Sequence, residues 1–91
     1  MKLLYSFEIM DMGEEFFAVP VGDDGSRFHG MIRLNQDAAE MFRLIQEYRS
    51  PEAVLDALLQ SHPDLERNDI GQELCDFMNR LIAEGILDPE G

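Results

Sequence analysis

The chain has 91 residues, 45% of them apolar, and its 19 acidic against 7 basic side chains give a net charge of -12. One domain over residues 1–91 is expected, burying roughly 60 to 65% of the surface its unfolded chain exposes, which leaves little room for an enclosed active site and favours binding at a surface groove. The charge repels phosphate backbones and anionic membranes, so neither nucleic acid nor membrane is expected as a partner. The N-terminal apolar stretch reaches Glu8 too soon for a signal peptide, and no apolar run approaches the roughly 18 residues of a membrane span. A single cysteine, Cys75, cannot close an intramolecular disulfide, in keeping with a cytoplasmic location.

Three strands are predicted first. Tyr5, Phe7 and Ile9 alternate with Ser6 and Glu8; Met12-Gly13-Glu14 is a tight connection; Phe17, Val19 and Val21 share a face of a second strand, Phe16 to Val21. The stretch Gly22 to Arg27 forms a longer turn before a third strand, Phe28 to Leu34. An antiparallel meander this small is marginal alone and must cover one face. At Asn35 the periodicity changes: Ala38, Met41, Phe42 and Ile45 recur at helical spacing, predicting a helix from Gln36 to Tyr48. Asn35 is placed to accept from the free amides of the first turn, with Asp37 near the positive end of the helix dipole.

A second helix is capped by Ser50, with Pro51 at its first position, Val54, Leu55, Leu58 and Leu59 on its inner face, and His62-Pro63 at its end. The third begins between Arg67 and Ile70 and stops at Gly85 in a left-handed conformation, after which Ile86 and Leu87 fold back. The expected class is α+β in the order βββααα, a three-stranded antiparallel sheet followed by a three-helix bundle.

Motifs for catalysis are missing. Gly22, Gly25 and Gly30 make no phosphate loop or dinucleotide fingerprint, and His29, His62 and Cys75 offer no ligand pair at short spacing, so no metal and no cofactor is expected. Cys75 lies at the edge of an apolar stripe, where a small packed side chain is the ordinary reading. The pairs Glu14-Glu15 and Asp23-Asp24 fall in turns, and His29 and Arg33 share the solvated side of a strand. No residue is assigned a catalytic role.

Two surfaces stay open. On the third helix Ile70, Leu74, Phe77 and Leu81 fall within about 60° of one another, and Met78, Ile82 and Cys75 widen the stripe to about 160°. Either that helix is buried on two sides, or one margin lines a groove. The third predicted strand is an edge if the strands pair in order, and its segment from Phe28 to Leu34 has no proline and one charge, Arg33. Such an edge is either covered by the fold or open to a visiting strand.

Residues 33–45, "RLNQDAAEMFRLI", followed by "SPEAVLDALL" and "DFMNRLIAEGIL", resemble the PqqD-like family, the recognition elements of ribosomally made, post-translationally modified peptides. The matching places are Leu34-Asn35, Ala39, the Met41 to Ile45 stripe, Ser50, and Phe77-Met78, Leu81, Gly85, Ile86 and Leu87. Family members often carry Asp-Gly between the first two helices, where this chain has Gln46 to Ser50. The resemblance implies a winged-helix-like fold and a non-catalytic chaperone that binds the leader of a precursor peptide and presents it to a modifying enzyme, often of the radical SAM class. It also implies that the leader adds as a strand beside the third strand and packs on the third helix. Carried over by position, the contacts are Met31, Ile32 and Arg33 on the strand and Ile70, Leu74, Phe77 and Arg80 on the helix. Two alternatives are a winged-helix nucleic-acid-binding regulator, disfavoured because the third helix sets only Arg67 and Arg80 against Asp69, Glu73 and Asp76, and a protein-interaction subunit without a peptide substrate.

Overall fold

A computed structural model describes residues 1–22 and 30–90. The elements run β1 (Lys2–Leu3), β2 (Phe7–Asp11), β3 (Phe16–Pro20), β4 (Ile32–Leu34), α1 (Gln36–Glu47), α2 (Pro51–Ser61), α3 (Arg67–Ala83) and β5 (Leu87–Asp88). The expected βββααα order is present as β2 to α3, and the class is α+β. The short β1 and β5 at either side of it are additions that the sequence pattern did not signal. Asp23 to Arg27 of the predicted turn, and Phe28 and His29 at the start of the predicted third strand, lie outside the described residues.

The chain divides into two compact units, one of residues 5–43 and one of residues 1–4 with 44–91. In the first, β2, β3 and β4 pair antiparallel in sequence order. The register sets Phe7 opposite Pro20, Ile9 opposite Ala18, and Ala18 in turn opposite Ile32. Because directly opposed residues share a face, Phe7, Ala18, Ile32 and Leu34 form the buried side, while Met10, Phe17 and Arg33 form a row on the other. The face shared by Phe17 and Val19 is therefore the outer one. The β2–β3 turn closes through the Met12 amide donating to the Glu15 carbonyl at 2.8 Å, with Gly13 at a φ of 92° and its amide held by the Asp11 carboxylate at 2.9 Å.

Pro20 ends β3, and its chemistry explains why the ladder to β4 is short. The Val21 amide bonds the Ser6 carbonyl at 3.0 Å, so odd-numbered β3 residues face β2 and even-numbered ones face β4. Pro20 lies on the β4 side and has no amide to give. Pairing with β4 stops at Ala18–Ile32, so Gly30 and Met31, expected in the third strand, lie before its first described residue, Ile32. The first residues of α1 belong to this unit: Phe42 is fully buried and its ring stands perpendicular to that of Phe7 at 5.4 Å, while the Arg43 guanidinium sits 5.8 Å from the centre of the Phe16 ring.

In the second unit α2 packs on α3, and β1 pairs with β5, matching Leu3 to Leu87. Ser50 caps α2, its hydroxyl accepting from the Ala53 amide at 3.4 Å, and Pro51 follows at the first position. Helix α3 ends in a Schellman motif: the Gly85 amide, at a φ of 77°, donates to the Ile82 carbonyl, and the Ile86 amide to the Leu81 carbonyl. Leu81 and Ile86 are both fully buried, so the apolar contact that accompanies this motif turns the chain back into β5. Met1, Ile45, Val54, Leu58, Ile70, Leu74, Phe77 and Leu87 are the other buried apolar residues of this unit.

Candidate functional site: a strand edge and an apolar helix

The joint at Asn35 positions the edge strand. Its side-chain oxygen accepts from the Ala38 amide at 2.7 Å, and its carbonyl accepts from Ala39 at 2.9 Å, so α1 starts as soon as β4 ends. With the orphan amide of Ala38 capped and the first helical bond closed on the same residue, the strand-to-helix corner is fixed locally.

Within the described residues β4 is a terminal strand of its sheet. Since even-numbered β3 residues face β4, it is Ile32 and Leu34 that bond β3; the peptide groups of Met31 and Arg33 turn to the outer side. Their side chains go to the outer face of the sheet. Met31 is 60% exposed, and the Arg33 side chain pairs with the Glu15 carboxylate. Ile32 points inward and is 4% exposed, so its role is to hold the strand in place.

Helix α3 divides its broad stripe in two. The narrow wedge of Ile70, Leu74, Phe77 and Leu81 is buried, and the margin of Cys75, Met78 and Ile82 is not. That margin lines an apolar groove of about 390 Å³ against α2, where Pro51 and Leu55 form the facing wall. Of the residues carried over from the family pattern, only Leu74 borders this groove; Ile70 and Phe77 belong to the buried wedge. Arg80 is on the exposed side and ion-pairs Glu84 at 3.6 Å. Cys75, expected as a packed side chain, is exposed, with the Asn79 amide 3.8 Å from its sulfur. It sits at the far limit of the stripe, too far round the helix to be covered by the packing of Leu74 and Phe77. Leu55 and Pro51 were not singled out for binding by the sequence, where the width of the α3 stripe was the available signal.

The family model described as coenzyme PQQ synthesis protein D (PqqD) matches residues 12–87. Among solved structures the chain is similar to TbiB1, determined in complex with the TbiA(beta) leader peptide, with a TM-score of 0.72 at 19% identity over 97% of this chain and 95% of that one. No curated protein sequence matches. At that identity the structural likeness speaks to the fold, and the match over residues 12–87 assigns the family: the chain belongs to the PqqD family.

Proposed function

We propose that this protein is a non-catalytic chaperone of a ribosomally made precursor peptide: it binds the leader segment and presents the peptide to a modifying enzyme, with the radical SAM class as the candidate. Family membership supports the role, and the similar TbiB1 was solved with a leader peptide bound. The observation that carries the reading is the outer side of β4, where the peptide groups of Met31 and Arg33 face away from β3. A leader adding there as a fourth strand would gain main-chain hydrogen bonds, and its alternate side chains would meet Met31 and Arg33. Ile32 keeps the strand seated from below. Ile70, Leu74, Phe77 and Arg80 are the proposed second contact, made within their own unit: the three apolar residues hold the helix surface in shape and Arg80 is accessible from solvent. The 91 residues act as one recognition domain in the cytoplasm, where precursor and enzyme meet.

The test is calorimetric titration with a synthetic leader segment of a candidate precursor peptide, together with amide shifts by NMR. Ordering a disordered leader consumes part of the gross interaction energy, so a dissociation constant near 1 μM, about -8 kcal/mol, is expected. Met31→Pro isolates the edge: Met31 gives no bond to β3, so proline should leave the sheet intact while removing one donor that β4 offers to the added strand and weakening binding by about tenfold. Unchanged affinity in a folded Met31→Pro variant, or shifts confined to α2, would remove β4 as the binding edge.

A further inference from the structure

The groove between α2 and α3 has no part in strand addition, because its walls are helices whose peptide groups already bond one another. A visiting strand would find no ladder there. A visiting helix brings its own backbone satisfied and needs only apolar side chains in phase with the floor. The floor has that phase: Gly71, Leu74, Met78 and Ile82 follow one another along one side of α3 at helical spacing. Gly71 leaves one end open, since a Cβ there would stand 4.0 Å from a terminal methyl of Leu55 and occupy the gap. Met78 is unbranched and adaptable, the kind of side chain that reshapes around different partners. A small-molecule site would need several convergent polar groups to fix its ligand, whereas Glu52 and Asn79 are the charged or amide side chains in this lining, both exposed.

The surroundings of the groove are acidic. Residues 1–4 and 44–91 hold eleven carboxylate side chains against four basic ones, a net charge of -7. Glu52 stands in the lining itself, and its carboxyl is held below the usual carboxylate range, first by a hydrogen bond from its own backbone amide and then by the Ser50 hydroxyl, which donates to it at 2.9 Å. It is therefore ionised at neutral pH. Asp88 and Glu90 flank the lining residue Pro89, and Asp76 lies next to Cys75 on α3. Of the basic residues of this unit, Arg67 and Arg80 are engaged with Asp56 and Glu84.

We propose that this groove docks a basic amphipathic helix of a protein partner, seating aliphatic side chains between Leu55, Met78 and Ile82 and setting lysine or arginine against Glu52 and the neighbouring carboxylates. This second docking surface is additional to leader binding at β4 and does not rest on it. The partner is identified by the charge and periodicity it must carry: apolar positions at helical spacing, flanked by cations.

The probe is a short synthetic helix with leucine on one face and lysine on the other, titrated into the full chain at physiological salt and followed by methyl and amide shifts. Two controls accompany it, a peptide of the same composition scrambled out of helical phase and one with glutamate in place of lysine. The helix should bind about tenfold more tightly than either control and shift Leu55, Leu74, Met78 and Ile82. The double substitution Met78→Gln with Ile82→Gln changes two partly exposed residues without altering charge; it should weaken the probe by about tenfold and leave leader affinity unchanged. If that variant fails to fold, the wild-type shift map and the two control peptides decide the matter. Equal binding of the scrambled peptide would mean plain charge attraction and overturn the proposal. So would shifts elsewhere, or self-association that closes the groove without a probe. Loss of leader binding with probe binding retained would count against the β4 reading alone.

Discussion

Asn35 does two jobs with one side chain. It ends β4 and supplies the acceptor for the Ala38 amide at 2.7 Å, so the orientation of the edge strand and the start of α1 depend on the same residue. Asn35→Ala should lower stability by about 1 kcal/mol through the lost cap, a fall of some 4 to 8 °C in melting midpoint for a domain of this size. Asn35→Asp should recover most of it. Urea unfolding of the three proteins checks both, and an unchanged midpoint for the alanine variant would remove the cap role. At the strand, Arg33→Glu reverses a charge on the outer face and breaks an exposed pair with Glu15, a pair worth at most about 1 kcal/mol. Its fold should survive, with a changed leader affinity read by the same calorimetric titration.

At the scale of elements, boundaries follow hydrogen-bond chemistry more than apolar patterning. Gly30 and Met31 were expected within the third strand, yet among the described residues β4 starts at Ile32, because Pro20 cannot donate across the ladder at the position where pairing would continue. The end of α3 was legible in advance, because a glycine after an apolar periodic run is a local signal. Gly85 takes a φ of 77° and has open space where a side chain would project, so the penalty for Gly85→Ala is one of backbone strain alone. A loss of about 1 to 2 kcal/mol is expected in chemical denaturation, the cost of holding an L-residue left-handed. A variant as stable as the parent would show that the Leu81 and Ile86 contact, not the glycine, sets the stop.

For the whole molecule the dominant quantity is charge. A net -12 cannot supply the phosphate contacts that non-specific nucleic-acid binding needs, and α3 carries more carboxylates than cations. No binding to random duplex DNA is expected at physiological salt in a fluorescence anisotropy titration. Micromolar affinity that weakens with added salt would revive the regulator reading. Among the described residues no helix is long and apolar enough to cross a membrane.

What the sequence determined by itself was local and periodic: three strands and three helices in order, the Asn35 and Ser50 caps, the Gly85 stop, and a stripe on α3 wider than one packing face requires. Each of these is set by residues within a few positions of one another, where dihedral preference and hydrogen-bonding capacity act without reference to the rest of the chain. The pairing of the two shortest strands was not so set. The β1–β5 ladder joins Leu3 to Leu87, and two-residue strands carry no alternation to detect. The division of the α3 stripe into a buried wedge and an open margin was likewise decided in three dimensions. Ile70, Leu74 and Phe77 are as apolar as Met78 and Ile82, and only tertiary packing, which covers one side of the helix and leaves the other along an open groove, separates residues that hold the fold from residues that can meet a partner.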